Sequence, residues 1–260
     1  GAGWFDFDND GLLDLFVANY LEWSPDAAPY CGDPARGIRS YCHPRNYRGL
    51  ANALYRNRGD GTFEDVSAKS GIAAHVGKAM SVSFADYDGD GRMDVFVTND
   101  KMPNSLFHNL GGGKFEEVAF ELGVALPDHG RDVSGMGSDF RDYDNDGRPD
   151  IVFAALAGET FPLFRNAGAT GFRGWGRRSG LDVMSLRRSG WSPALADLNN
   201  DGWKDLFVSG AHVSDNVEMF EAAHYKAANF VAAGSAGGVF HEVPMEPELQ
   251  RARAHRGAAF

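Results

Sequence analysis

Apolar residues along this chain fall in short runs separated by acidic and glycine-rich segments. Four runs stand out: Leu15-Phe-Val17, Val95-Phe-Val97, Ile151-Val-Phe153 and Leu206-Phe-Val208. They are β-branched and aromatic, about as long as a buried strand, and end in polar or small residues, so they predict strands and not helices. A second element follows in each unit: Asn52-Ala-Leu-Tyr-Arg-Asn57 then Gly59-Asp-Gly-Thr-Phe63, Asn104-Ser-Leu-Phe-His-Asn109 then Gly111-Gly-Gly-Lys-Phe115, and Leu163-Phe-Arg-Asn166 then Gly168-Ala-Thr-Gly-Phe172. Glycine supplies the positive φ of a tight hairpin turn, so each reads as strand, turn, strand. A weaker fourth copy is Asn229-Phe-Val-Ala-Ala233 then Gly237-Gly-Val-Phe240.

Each apolar run is preceded by one acidic segment: Asp6-Phe-Asp-Asn-Asp-Gly-Leu-Leu-Asp14, Asp86-Tyr-Asp-Gly-Asp-Gly-Arg-Met-Asp94, Asp142-Tyr-Asp-Asn-Asp-Gly-Arg-Pro-Asp150 and Asp197-Leu-Asn-Asn-Asp-Gly-Trp-Lys-Asp205. The loops start 80, 56 and 55 residues apart, and the last two spacings match a four-stranded blade with its loops. The first unit carries an insertion over roughly residues 21–47. The expected fold is therefore all-β, a β-propeller of four-stranded blades; a parallel solenoid is the less favoured architecture. The chain opens on the strand before an acidic loop. It closes on His255-Arg-Gly-Ala-Ala-Phe260, which aligns with that same strand, so about four blades of a longer propeller are expected over residues 1–260. The fourth unit departs furthest, with Asn199 in its loop and a helix-like stretch near Glu218 to Ala228.

Charge sharpens the picture. The formal net charge is −11, which disfavours nucleic acid and anionic membranes as partners. Fifteen of the 36 acidic residues lie in the four loops, a clustering that points to cations. Carboxylates at loop positions 1, 3 and 5 converge when a turn wraps a centre, and Gly at position 6 permits the turn. Position 7 offers its main-chain carbonyl, so its side chain is free to vary as Leu12, Arg92, Arg148 and Trp203, and the Asp at position 9 closes the shell. The predicted ligands are thus Asp6, Asp8, Asp10, Leu12 and Asp14; Asp86, Asp88, Asp90, Arg92 and Asp94; Asp142, Asp144, Asp146, Arg148 and Asp150; and Asp197, Asn199, Asp201, Trp203 and Asp205. A set of hard oxygens suits Ca²⁺, about four ions in all. Mg²⁺ prefers fewer protein ligands, and no loop contains Cys or His for zinc. An EF-hand needs Glu at position 12 between helices; here position 12 is Val17, Val97, Phe153 or Val208. Four divalent ions would take −11 to −3, and without them the clustered carboxylates repel, so the ions are expected to be structural.

These loops and their Leu-Phe-Val strands resemble the FG-GAP or VCBS repeats of integrin α-chain propellers. The pattern from Asn52 to Ser67, with the Cys31 to Tyr47 insertion and Ser209-Gly-Ala-His212, is similar to the ASPIC/UnbV, or cartilage acidic protein-like, group. The resemblance covers nearly the whole chain. It implies a propeller of about seven blades that is secreted, cell-surface or periplasmic. The only cysteines are Cys31 and Cys42; an even count in such a context favours a disulfide closing the insertion.

Arg58-Gly59-Asp60 spells an adhesion tripeptide, but glycine-rich turns occupy the same place in other units and explain it. No Gly-x-Ser-x-Gly, His-Glu-x-x-His or phosphate-cradling loop is present. His212 and His255 sit near strand ends and read as structural. The expected function is a calcium-stabilised scaffold, not an enzyme, with an unknown protein or glycan ligand and the remaining blades as partners, and with no insertion into membrane. Two other readings stay open: the propeller of a secreted polysaccharide lyase or hydrolase, with the Arg, His and Tyr residues of the insertion as the place to look, and a structural repeat of a large surface adhesin.

Overall fold

A computed structural model describes residues 1–258 of the chain. It is all-β at its core, with four antiparallel sheets of four strands each, and in every sheet the strands lie side by side in sequence order. The first sheet comprises Ala2–Phe5, Asp14–Val17, Ala53–Asn57 and Phe63–Asp65. The second comprises Ala79–Ala85, Asp94–Asn99, Ser105–Gly111 and Lys114–Glu117. Ser138–Arg141, Asp150–Phe153, Leu163–Asn166 and Phe172–Gly174 make the third. The fourth is Gly190–Ala196, Asp205–Gly210, Phe230–Ser235 and Val239–Glu242. Each acidic segment joins the first two strands of its sheet, and each glycine turn joins the last two.

The core lies between the sheets. One buried cluster joins sheets one and two through Phe16, Leu54, Val95 and Phe107. A second joins two and three through Phe96, Leu106, Ile151 and Phe153, and a third joins three and four through Val152, Leu163, Leu206 and Val208. Successive side chains of a strand point to opposite faces, so Val95 and Val97 face the first sheet while Phe96 faces the third. That two-sided burial is why the second strand of a unit is an unbroken apolar run. Burial of Phe96 alone contributes about 2–3 kcal/mol. The first strands of neighbouring sheets also approach closely: a Cβ at Gly137 would lie 2.1 Å from the Trp191 carbonyl, to which the Gly137 N–H donates at 2.6 Å. Only glycine fits there.

Three contacts recur from sheet to sheet. The aromatic residue at loop position 2 packs against the hairpin Phe of the next unit: Phe7 on Phe115, Tyr87 on Phe172 and Tyr143 on Phe240. The Asn at the hairpin end of the third strand donates its side-chain amide backward, Asn109 to the Phe7 carbonyl and Asn166 to that of Tyr87, both at 2.8 Å. Loop position 4 reaches forward, Asn9 to the Gly91 carbonyl at 3.1 Å and Asn145 to that of Gly202 at 2.7 Å. In the fourth unit Gly234 occupies the place of the clamping Asn, and Tyr143 donates its hydroxyl to the Gly238 carbonyl instead.

The insertion holds three short 3₁₀ turns, a two-stranded ribbon of Gly32–Asp33 with Ile38–Arg39, and a disulfide between Cys31 and Cys42 with Cα atoms 5.2 Å apart. It arches from the first unit to the fourth, where Asn216 Nδ2 donates to the Arg39 carbonyl at 2.7 Å. The helix expected near Glu218 to Ala228 does not form. Only a 3₁₀ turn at Val217–Met219 is present, and beyond it Lys226 and Ala227 bridge to Ala211 and Arg253 in extended conformation. Backbone pairing there outweighs the helix propensity of Glu and Ala. Of the closing strand expected at 255–260, residues 255–258 are irregular and the rest lies outside the described residues.

Candidate metal centres and the inter-sheet cavity

The acidic loops are shaped by their own backbone. At position 1, Asp6 accepts from the N–H of Asp10 and Gly11, and Asp86, Asp142 and Asp197 do the same in their loops at 2.8–3.2 Å. Position 5 accepts from the N–H of position 7, as in Asp10 with Leu12 and Asp201 with Trp203; Asp90 with Arg92 and Asp146 with Arg148 repeat it. Gly11, Gly91, Gly147 and Gly202 all sit at φ between +84° and +90°, where a side chain would be strained.

Position 9 serves the fold. Asp14, Asp94, Asp150 and Asp205 are buried, and each accepts two main-chain bonds, one from loop position 2 and one from the end of the third strand. Each therefore staples its loop to the hairpin. Burial pushes Asp150 up to about 8 and Asp94 up to about 6; it also raises Asp14. The two N–H donors oppose the shift, and nearby loop carboxylates reinforce it.

The predicted convergence is clearest in loops one and three. Carboxylate oxygens of Asp6, Asp8 and Asp10 lie within 4.8 Å of one another, as do those of Asp142, Asp144 and Asp146. Asp8 Oδ1 and Asp144 Oδ1 are buried without a hydrogen-bond donor. An orphaned carboxylate oxygen in an all-oxygen cluster fits a hard cation, which would complete it. In loop two, Asp86 and Asp88 converge with Asp94, and Asp88 and Asp90 with His108. The fourth loop is different: Asp197, Asp201 and Asp205 form no such group among the described residues, and Asn199 donates to Asp201 at 2.9 Å.

Basic side chains from the third strand overlie these loops. Arg56 forks across Asp8 and Asp10 at 2.6 and 3.1 Å, and Arg165 across Asp144 and Asp146 at 2.5 and 2.9 Å. His108 holds the same place over Asp88 and Asp94. From within the loops, Arg92 pairs with Asp90 and Arg148 with Asp146. The recurring Arg or His before Asn57, Asn109 and Asn166 was the one sequence signal for this, and it points to no partner by itself.

Beneath the insertion lies a cavity of about 1430 Å³, lined by Tyr41, His43 and Tyr47 from the insertion and by residues of all four units. Asp100, buried in its wall, accepts from the Tyr20 hydroxyl at 2.6 Å, and burial raises its pKa. His212 borders the cavity and accepts from the Ser214 N–H, whereas His255 pairs with Asn229 at 2.9 Å. Arg58-Gly59-Asp60 forms a turn whose Asp60 is held by Thr62.

Four sheets of one design, each with an acidic turn between its first two strands, define a repeat protein built from a single supersecondary unit. The FG-GAP-like repeat profile matches residues 6–97, 86–153 and 142–208. The chain thus belongs to the FG-GAP-like repeat family. It is similar to cartilage acidic protein 1 of Homo sapiens, 31% identical over 217 residues, covering 78% of this chain and 27% of that protein. The Xenopus tropicalis protein of that name is 26% identical, with 65% and 27% covered. The chain therefore spans about a quarter of these relatives, in agreement with the resemblance to the ASPIC/UnbV group. Among solved structures it is similar, with a TM-score of 0.45 and 21% identity, to an Agrocybe aegerita lectin described for recognition of non-reducing terminal N-acetylglucosamine; 76% of this chain and 48% of that one are covered. Among the described residues no helix is long and apolar enough to cross a membrane.

Proposed function

We propose that the chain is part of a calcium-stabilised β-propeller, with each four-stranded sheet a blade, working outside the cytoplasm as a scaffold that binds a protein or glycan and performs no catalysis. The observation that carries the calcium reading is the pair of orphaned oxygens, Asp8 Oδ1 and Asp144 Oδ1, each buried in a cluster of three carboxylates. The ligands would be the carboxylates at positions 1, 3, 5 and 9 of each loop, with Asn199 in the fourth, and the main-chain carbonyls of Leu12, Arg92, Arg148 and Trp203. A bound Ca²⁺ would supply the charge that lets these groups share one turn. The disulfide between Cys31 and Cys42 supports a secreted, cell-surface or periplasmic address.

The loops are wired into the fold, so their state bears on every interface between blades. Position 2 packs on the next blade, position 4 of loops one and three bonds to the next loop, and position 9 staples the hairpin. Order in the loops keeps the blades in register, and the insertion spans them above a cavity broad enough for a ligand. Calorimetric titration of the chelated chain with Ca²⁺, paired with thermal melts, tests the reading. Uptake of three to four ions with a rise in melting temperature is expected, the fourth loop filling last; no uptake would overturn it.

A further inference from the structure

The cavity beneath the insertion carries charge of the opposite sign to the chain. Lys101, Arg187, Arg188, Lys226 and Arg256 line it, against Asp100, Glu159 and Glu221, so its wall is net +2 in a chain of −11. Glu159 pairs with Lys101, Asp100 accepts from the Tyr20 hydroxyl at 2.6 Å, and Arg188 is taken by Glu242 at 2.5 Å. Among the described residues, the Glu221 carboxylate has no partner, and Arg187, Lys226 and Arg256 have no carboxylate partner. Arg256 is positioned by other means: its guanidinium lies 4.5 Å from the Trp191 ring centroid and donates to the Val213 carbonyl at 3.2 Å. One bond leaves most of its N–H groups free.

The insertion brings aromatic rings to the same cavity. Trp23 and Tyr41 line it while 58% and 67% exposed, and neither the indole N–H nor the phenol hydroxyl has a hydrogen-bond partner among the described residues. A flat apolar ring with a free polar tip suits the C–H face and hydroxyls of a sugar, and guanidinium groups suit carboxylate or sulfate. At about 1430 Å³ the cavity exceeds the roughly 300–1,000 Å³ of a small-molecule site, which leaves room for several sugar rings. We propose that it takes an acidic glycan, with sugar rings on Trp23 and Tyr41 and anionic groups on Arg187, Lys226 and Arg256. The inference rests on the reading of the chain as a scaffold for a protein or glycan and commits it to one site and one ligand class. An acidic peptide would meet the same cations but offers no hydroxylated rings to the two aromatic side chains.

The test is calorimetric titration of the whole chain in Ca²⁺ with hexagalacturonate, its fully methyl-esterified form, a heparin hexasaccharide and hexaglutamate. At least one acidic saccharide should bind about 10-fold tighter than the ester, less so as salt is raised, and the two acids show whether carboxylate or sulfate is preferred. Arg187→Ala with Lys226→Ala removes exposed side chains without carboxylate partners, so the melting temperature should hold while acidic saccharides bind about 10-fold more weakly. Trp23→Ala should weaken the saccharides and leave hexaglutamate unchanged. Equal affinity for acid and ester, tighter binding of hexaglutamate, or saccharide binding indifferent to these variants overturns the proposal. Calcium uptake is counted on the same samples. With the calcium loops filled, a preference for hexaglutamate, or no binding of any probe, would sink this inference alone. Acidic saccharide bound with no calcium uptake would sink the calcium reading alone.

Discussion

The side-chain amide of Asn109 donates to the carbonyl of Phe7 at 2.8 Å, a bond that crosses 102 residues of sequence and ties the second sheet to the acidic loop of the first. The same amide donates to the Met93 carbonyl at 3.1 Å, and its oxygen accepts from the Gly111 N–H at 3.0 Å. One side chain thus fixes its own hairpin turn, its own loop and the loop of the unit before.

Asn109→Ala should accordingly be costly. It leaves buried carbonyls without donors, each worth about 1–3 kcal/mol, so a loss of roughly 2–4 kcal/mol is expected by urea denaturation in Ca²⁺. Asn166→Ala should match it, since Asn166 bonds Tyr87 and Pro149 in the same way. Asn57→Ala should cost only about 1 kcal/mol, because its amide reaches only the exposed Leu13 carbonyl of its own loop. Equal losses at all three positions would refute the clamp.

The repeat was plain in the sequence because the loop needs Asp at alternate positions and Gly at the sixth, and because a strand buried on both faces is an unbroken apolar run. The bonds between units were not. Asn109 and Phe7 are joined by sheet packing, and nothing local to either residue names the other. The position 9 Asp was legible as part of the motif, but its role as a backbone staple depends on where the third strand ends. Likewise Arg56, His108 and Arg165 stand in the hairpin motif, yet which carboxylates they cover is set by strand register. At Glu218 to Ala228, composition suggested a helix where long-range bridges impose an extended chain.

Arg165 occupies carboxylates that a cation would use. Arg165→Gln should lower the melting temperature in chelator, because Asp144 and Asp146 lose their counter-charge; the side chain is about one-third exposed, which limits the loss to about 1 kcal/mol. In Ca²⁺ the sign reverses, with affinity at that loop rising several-fold. Parallel melts with and without chelator check both signs, and a variant weakened equally in both conditions would show that Arg165 does not compete with the ion.

Reduction of the Cys31–Cys42 bond should act locally. Closing a loop of this size is worth about 3 kcal/mol by chain entropy, but the insertion lies outside the four sheets and reaches the fourth unit through exposed bonds such as Asn216 to Arg39. Cys31→Ser with Cys42→Ser is therefore expected to leave the main melting transition nearly in place while proteolytic cleavage within residues 21–47 accelerates. A main transition that falls with the disulfide would make the insertion part of the cooperative core.

Buried position 9 carboxylates give the chelated protein an unusual pH profile. Burial raises Asp150 to about 8 and Asp94 to about 6, both above the ordinary value of 3.8. A group whose pKa is higher folded than unfolded binds more protons in the native state, so its contribution to stability falls as pH rises between the two values. In chelator, stability should therefore be greatest below about pH 4 as far as these groups are concerned, and should decline through about pH 8, above which Asp150 is ionised in both states. Calcium should flatten that decline, since a cation beside the loop offsets the charge forced into the interior. Urea midpoints measured from pH 4 to pH 9, with and without Ca²⁺, decide the matter: a chelated protein that gains stability across that window would show that other groups govern its titration.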